Sequence, residues 1–158
     1  MPSRRYILTV RLSTSLRNNL AGTTGFASTF ANGIIEIRTG SQPTSADAAA
    51  TGTLLGTVTL SSGAFTPGTA TNGLTFATAA DGSVSKSGVW SFNGVAAGTA
   101  GWFRFKGNAL DNDAISTTLP RLDGSIATSG ADMNLSNITI AIGAPSTVDS
   151  FVFTIPAA

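Results

Sequence analysis

Short runs of β-forming residues, separated by turn residues at intervals of about ten positions, extend through most of this chain. In the first run Ile34, Ile35 and Ile37 are β-branched, and Glu36 and Arg38 alternate with them. Turns rich in Gly, Pro and Asn separate this run from later ones at 54–60, 74–78, 89–95, 102–106, 121–126, 133–142 and 148–155. The pattern predicts about seven to nine strands and little helix.

Strands at this spacing favour an all-β fold, an antiparallel β-sandwich, of which the eight-stranded jelly roll is the most natural form. An Ig-like sandwich produces the same spacing, so the sequence leaves the choice between the two open. No tandem repeat occurs, which argues against a propeller or a solenoid. Because a chain of 158 residues can bury one real core, we predict a jelly-roll-like sandwich with a short N-terminal arm and helix.

The N-terminal part differs from the rest, and we divide the chain into a basic arm with a short helix at 1–33 and a β-sandwich domain at 34–158. No acidic residue precedes Glu36, whereas four of the nine basic residues lie before it: Arg4, Arg5, Arg11 and Arg17. Such an arm can dock on an acidic surface or on nucleic acid. Since it lacks a run of about five like charges, we expect no nucleic-acid partner, and an exposed terminus with scattered arginines is the structural alternative.

A short helix is expected within the arm. Ser15 can cap a segment in which Leu16 and Leu20 lie one turn apart. Phe26 and Phe30 repeat that spacing after two glycines. One or two helical turns are therefore predicted before the first strand.

Histidine and cysteine are absent, and Glu36 is the only glutamate. A Ser-His-Asp triad needs an imidazole, and a structural zinc site or a thiol enzyme needs Cys or His. The remaining candidates, aspartates and basic residues, stand mostly one at a time in polar, Gly-rich surroundings. We therefore predict a structural or binding protein that is not an enzyme and uses no cofactor or metal.

The densest group of hard oxygen ligands is Asp111-Asn112-Asp113. Calcium takes several such oxygens, but a binding loop usually supplies more carboxylates. A retaining glycosidase places two carboxyl groups about 5 Å apart across a substrate cleft, which one local pair does not define. We predict that these residues form a turn between strands.

Aromatic residues recur in two of the strand runs. Trp90 and Trp102 could form a stacking platform for sugars, but their alternation with polar residues indicates the core instead. In the second run we expect Phe103 and Phe105 to face the core. Arg104 and Lys106 alternate with them and should lie on a solvated strand face, with a contact patch as the alternative.

Only 11% of the residues are charged, compared with about 25% in typical domains. A neutral surface repels copies of itself weakly, as suits a protein that functions in an assembly. No segment approaches the length of a membrane span, and we expect no membrane partner. The apolar run after Arg5 is short and ends at Arg11, so we predict no signal peptide.

Four segments, in this order, carry a resemblance: IEIRTGSQPTSADAAATGTLLGTVTL at 35–60, GTAGWFRFKG at 98–107, DGSIATSGADMNLSNITIAIG at 123–143 and VDSFVFTIP at 148–156. Together they resemble a family of small proteins common in tailed-bacteriophage genomes. The chain departs from that family by a longer insertion between the second and third segments, which could be a contact loop that contains Asp111, Asn112 and Asp113.

The resemblance implies a virion structural protein, and a capsid decoration or cement protein with a jelly-roll-like fold is the form we expect. It would form a homo-oligomer on the capsid surface, bind the major capsid protein and dock through the arginines of the arm. A tail, baseplate or head-tail connector component is one alternative. A carbohydrate-binding module for the host surface is another, and it would require Trp90 or Trp102 to be exposed.

Overall fold

The computed structural model describes residues 10–157. Strands make up 37% of the structure and helices 9%, and the sheets are antiparallel. The prediction of an all-β, sandwich-like fold is therefore confirmed, whereas the jelly-roll form stays a prediction. The predicted arm residues Arg4 and Arg5 lie outside the described residues.

Within the described range, twelve strands and two short helices follow one another along the chain. They are β1 (Arg11–Leu12), α1 (Thr14–Ala21), α2 (Phe26–Phe30), β2 (Ile34–Thr39), β3 (Leu54–Leu60), β4 (Thr75–Phe76), β5 (Ser83–Ser87), β6 (Trp90–Asn93), β7 (Gly98–Lys106), β8 (Arg121–Ala127), β9 (Met133–Asn134), β10 (Thr139–Ile140), β11 (Pro145–Thr147) and β12 (Val152–Thr154).

The strands form a large sheet in the order β1-β8-β7-β2-β3-β6-β11 and a small sheet in the order β12-β5-β4. β10 pairs with β7, and β9 adds to β8 as a parallel neighbour. The sequence underestimated the number of strands for two reasons. The run at 133–142 divides into β9 and β10, and three further strands, β1, β5 and β11, lie outside the predicted runs.

The register of the large sheet places apolar residues in one row across several strands and mainly charged residues in the next. One row faces the hydrophobic core and consists of Leu12, Leu122, Phe105, Ile35 and Val58. The next row faces the other side and consists of Arg11, Asp123, Arg104, Glu36 and Thr57. Because side chains alternate along a strand, the central strands have one apolar face and one charged face.

Aromatic side chains fill the space between the apolar face and the small sheet. Phe105 lies at the centre, stacked on Phe30 at 4.4 Å and edge-on to Trp90 at 5.9 Å between ring centroids. Phe26 stacks on Phe153 at 4.0 Å. The helices and β12 therefore contribute to the same core as the strands of the large sheet.

The first helix begins at a different cap from the one predicted. Ser13, and not Ser15, is the N-cap, and its Oγ accepts a hydrogen bond from the backbone N–H of Leu16 at 3.1 Å. The same Oγ accepts from the N–H of Arg121 at 2.9 Å and donates to the carbonyl of Leu119 at 3.1 Å. One fully buried hydroxyl thus ties the helix to the start of β8.

We expect Ser13→Ala to destabilise the protein by about 2 kcal/mol, because it removes the cap and leaves buried backbone groups without their partner. Ser15→Ala is the matched control and should change the free energy of unfolding by less than about 0.5 kcal/mol. Denaturant unfolding of both variants measures the difference. Equal effects would contradict the assignment of Ser13 as the cap.

Candidate functional site

Eight charged side chains meet on the charged face of β2, β7 and β8. We call them the charged cluster: Glu36, Arg38, Arg104, Lys106, Asp111, Asp113, Arg121 and Asp123. The four cations and four anions balance, and most are buried. Buried charges need such pairing, because water no longer compensates for them.

Arg104 and Asp123 form the innermost pair, on adjacent strands β7 and β8. Arg104 Nε and Nη2 each donate to one carboxylate oxygen of Asp123 at 2.8 Å, and both side chains have no exposed surface. Burial alone would lower the pKa of the Arg104 guanidinium, but the bonded Asp123 carboxylate outweighs burial and raises it. Burial raises the pKa of the Asp123 carboxyl despite the bonds and charge of Arg104, and the two side chains are held in a bidentate geometry.

Arg121 and Asp111 form a second bidentate pair. Arg121 Nε lies 2.7 Å from Asp111 Oδ2, and Nη2 lies 2.6 Å from Oδ1. Burial works against ionisation of Asp111, but the bonds from Arg121 and from the N–H of Asp113, with the charge of Lys106, lower its pKa below the ordinary value. This pair attaches the loop that follows β7 to the first residue of β8.

The other four charged residues form a closed quartet. Lys106 Nζ lies 2.6 Å from Glu36 Oε1 and 2.9 Å from Asp113 Oδ2. Arg38 Nη2 lies 2.8 Å from Glu36 Oε2 and 2.8 Å from Asp113 Oδ2. Each cation therefore contacts both anions. Arg104 Nη1, 3.7 Å from Asp113 Oδ1, connects the quartet to the innermost pair.

Two loops, at 40–53 and 107–120, cover the charged cluster, and we call them the covering loops. The cations donate to carbonyl groups of both: Arg104 Nη2 to Ala48 at 3.1 Å, and Arg121 Nη2 to Ala114 at 2.8 Å. These charge-assisted bonds hold irregular backbone against the sheet, where secondary structure does not satisfy its polar groups.

The covering loops also bond to each other. The N–H of Ser116 donates to the carbonyl of Asp47 at 2.9 Å, and the N–H of Ala50 donates to the carbonyl of Asp113 at 3.0 Å. The Asp47 carboxylate in turn accepts from the N–H and the hydroxyl of Thr14 at 2.8 and 2.6 Å. The two loops therefore form one connected layer over the sheet, and the first residue of the first helix is bonded to it.

The expectation of a solvated strand face at Arg104 and Lys106 is wrong, since their exposed fractions are 0% and 2%. The alternation of β7 was read correctly, because Phe103 and Phe105 face the core. No sequence pattern indicates that the covering loops lie over the charged face of β7. A usable signal existed: β2, β7 and β8 each carry two charged residues at i and i+2, which favours pairing across strands.

Asp111, Asn112 and Asp113 do lie in a turn region, but the two carboxylates point inward to cations and only Asn112 is exposed. Among residues 10–157 no group of three His, Cys, Asp or Glu side chains could hold a metal ion. The two carboxylates do not face a substrate cleft either. The arrangement fixes a loop, and its role as a contact loop stays a prediction.

Both tryptophans are fully buried, but only Trp90 lies on the core face that was predicted for both. Trp90 belongs to the aromatic core, whereas Trp102 lies on the charged face, with the guanidinium carbon of Arg104 5.5 Å from its ring centroid. The exposure that a carbohydrate platform requires is absent at both residues.

The described arm residues have different surroundings. Arg11 lies in β1, and its Nη1 donates to the carbonyl of Pro43 at 2.6 Å, so it helps to hold a covering loop. Arg17 is exposed on α1, with Nη2 3.2 Å from the hydroxyl of Thr14. Their predicted function in docking stays a prediction.

Large apolar side chains are exposed on the second covering loop. Leu110 is 74% exposed and Ile115 is 79% exposed, although the loop between them is fixed to the charged cluster through Asp111 and Asp113. The two apolar side chains are therefore presented to solvent on backbone that ion pairs hold in place. The sequence predicts a contact in this loop, but at Asp111, Asn112 and Asp113 and not at Leu110 or Ile115.

Within the described range, no helix is both long and apolar enough to cross a membrane. Comparison with protein-family models, with curated proteins and with solved structures found no match to this chain.

We expect Asp111→Asn to destabilise the protein by about 3 kcal/mol at pH 7, because Arg121 keeps its charge but loses its bidentate partner. The pKa of Asp111 is lowered in the folded state, so the advantage of the wild type is full above about pH 4. It disappears as the pH falls through the folded-state pKa. Denaturant unfolding from pH 7 to pH 2 measures this difference between the two proteins.

The control for this experiment is Asp149→Asn, since Asp149 is exposed and its Oδ1 accepts a hydrogen bond from the neighbouring Thr147 hydroxyl. It should lie within about 0.5 kcal/mol of the wild type across the whole range. A difference between wild type and Asp111→Asn that does not depend on pH would contradict the ionised pair.

Proposed function

We propose that this chain is a structural protein of a tailed-bacteriophage virion, and that it is a capsid decoration protein. In this function it binds the major capsid protein on the outer surface of the assembled shell as a homo-oligomer. The order of the four sequence segments at 35–60, 98–107, 123–143 and 148–156 supports the virion assignment.

The single observation that carries the decoration function is the covering loop at 107–120. Its backbone is fixed by ion pairs beneath it, and Leu110 and Ile115 project from it. A loop that is already ordered loses little conformational entropy when it binds, so more of its buried apolar area contributes to affinity. This suits a protein that must attach to a preformed lattice.

The distribution of charge supports the same function. Eight of the charged residues, from a total of nine basic and eight acidic, belong to the charged cluster and contribute little to the outer surface. The surface is therefore even more neutral than the composition indicates. Surfaces of this kind pack against others with little cost for removing charges from water.

The mechanism of stabilisation is linkage. A protein that binds the assembled lattice but not the separated subunits shifts the equilibrium towards the assembled shell. A copy that bridges two capsid subunits gains further, because its second contact forms within the same complex. The arginines Arg4 and Arg5 would supply one contact, and the loop with Leu110 and Ile115 would supply the other.

We expect Leu110→Ser and Ile115→Ser each to weaken binding to purified capsids about tenfold, since each removes roughly 1.5 kcal/mol of apolar burial. Ile142→Ser is the matched control, because Ile142 is 73% exposed on a different loop. Co-sedimentation with capsids measures the affinities. Equal binding by all three variants would exclude this loop as the docking surface.

The copy number in purified phage particles tests the proposal as a whole. Quantitative mass spectrometry against the major capsid protein should give about one copy per capsid subunit, or a simple fraction of that, because a decoration protein follows the symmetry of the shell. A few copies per particle would place the chain in the tail, baseplate or neck instead. Absence from the particle would contradict a virion function.

A further inference from the structure

One lysine is buried between two carboxylates on the charged face of the large sheet. Lys106 is 2% exposed, and its Nζ lies 2.6 Å from Glu36 Oε1 and 2.9 Å from Asp113 Oδ2. Nζ also donates to the backbone carbonyl of Asp111 at 3.1 Å. Because a lysine ammonium has three N–H groups, these three acceptors fix the position of the nitrogen.

The carboxyl carbon of Asp113 lies within reach of this nitrogen. Nζ is 2.9 Å from Oδ2, and Oδ2 is bonded to Cγ at about 1.2 Å, so Nζ lies at most about 4.1 Å from Cγ. Reacting atoms in a near-attack geometry are about 3 to 3.5 Å apart. A movement of less than about 1 Å therefore brings the nitrogen of Lys106 into position to attack this carbon.

Two buried atoms beside this pair have no hydrogen-bond partner among residues 10–157, namely Arg104 Nη1 and Asp113 Oδ1. They lie 3.7 Å apart, which is longer than a hydrogen bond, although buried polar groups are nearly always bonded. When a nitrogen attacks Cγ, negative charge develops on Oδ1. The unused N–H of Arg104 is the donor that such an oxyanion needs, and donors of this kind supply a large part of catalysis in acyl transfer.

Glu36 is placed to carry protons between the two reacting groups. Its Oε1 accepts a hydrogen bond from Nζ of Lys106. Its Oε2 and Asp113 Oδ2 each lie 2.8 Å from the same nitrogen, Arg38 Nη2. A carboxylate beside both the attacking nitrogen and the leaving oxygen has the position of a general base that afterwards acts as a general acid.

From this geometry we propose that Lys106 and Asp113 condense within the folded chain to form an isopeptide bond, with Glu36 as the proton carrier. One proton of the Nζ ammonium passes to Asp113 Oδ2, which leaves a neutral amine and a neutral carboxylic acid. The amine attacks Cγ, and Glu36 takes a second proton from Nζ as the C–N bond forms. Glu36 then returns this proton to the Oδ2 hydroxyl, which leaves as water when the C–O bond breaks. The third proton stays on the new amide.

The charged groups around the new bond stay balanced after the reaction. Arg38 and Arg104 face Asp113 and favour its carboxylate form, which slows the first proton transfer, but both then bind oxygens on which charge develops. The product replaces a buried ion pair with a neutral amide and leaves Glu36 paired with Arg38. Fixed proximity drives a condensation that separate amines and carboxylates do not undergo, since effective molarities reach about 10⁵ to 10⁸ M. This inference is independent of the proposed function.

Mass spectrometry of the intact protein tests the proposal, because the bond forms with loss of one water molecule. We expect folded wild-type protein to be lighter than its sequence by the mass of one water. Trypsin does not cleave after an acylated lysine, so the linked product should yield one peptide, 105–121, uncut at Lys106. Wild-type protein that keeps its full mass after several days at neutral pH would overturn the proposal. Dehydrated protein that trypsin still cleaves after Lys106 would overturn it as well.

The two lysines of the chain, Lys86 and Lys106, provide a matched pair of variants. Lys106→Arg keeps the positive charge but cannot form the amide, so the loss of water should disappear. Lys86→Arg is the control and should retain the loss, since Nζ of Lys86 bonds to the carbonyl of Gly88 and not to a carboxylate. Loss of water from both variants would place the dehydration at another residue and overturn the proposal.

The function of Glu36 is tested by Glu36→Gln, which retains the size of the side chain but cannot accept the proton. We expect the linked peptide to form at least about a hundredfold more slowly, the usual contribution of general acid–base catalysis. Circular dichroism checks that the variant is folded, and the wild-type mass decides the question of the bond even if it is not. Equal rates in the folded variant and in the wild type would exclude Glu36 as the proton carrier.

Discussion

The bidentate bond between Arg104 and Asp123 lies at the centre of the charged cluster, and because both side chains are fully buried, their partners must come from the protein. Once these two charges are buried on the sheet, the remaining donors of Arg104 need acceptors, and a carbonyl of a covering loop supplies one of them. The loop in turn requires partners for its own polar groups. Replacing such a pair with apolar side chains often leaves stability unchanged, whereas removing one member is costly. The charged cluster therefore specifies where the loops lie more than it contributes net stability.

Much of the fold could be predicted from the sequence because alternation along strands is a local property. The apolar alternation at Phe103 and Phe105 identified the core face, and both residues are buried. The opposite face could not be predicted in the same way. Whether Arg104 and Lys106 meet water depends on two loops distant in sequence, which have no periodic pattern of their own. The helix cap was missed for a similar reason, since Ser13 was selected by its contact with Arg121 and not by its distance from Leu16 alone.

At the candidate contact site, the loop could be recognised from the local sequence, but the direction of its side chains depends on residues distant in sequence. The insertion after β7 was recognised as a loop with Asp111 and Asp113, and it is one. From the sequence, the contact of this loop was assigned to Asp111, Asn112 and Asp113, but the two carboxylates bind cations on the sheet, and the apolar residues Leu110 and Ile115 face outward. Because the carboxylates pair with cations beneath the loop, the outer surface of the loop is apolar and not acidic. A surface built in this way can contact another protein without exposing unpaired charge.

The spread of the charged cluster along the chain has a consequence for the order of folding. Glu36 pairs with Lys106 across 70 positions, and Arg104 cannot find its partner until β8 has been synthesised. During synthesis, β2 and β3 can form a hairpin early, while their charged side chains stay in water. The covering loops can close only after most of the chain has left the ribosome, because contacts between distant residues form slowly. The layer that presents Leu110 and Ile115 can therefore become ordered only after β8 has been synthesised, so chains that end before β8 do not display that surface.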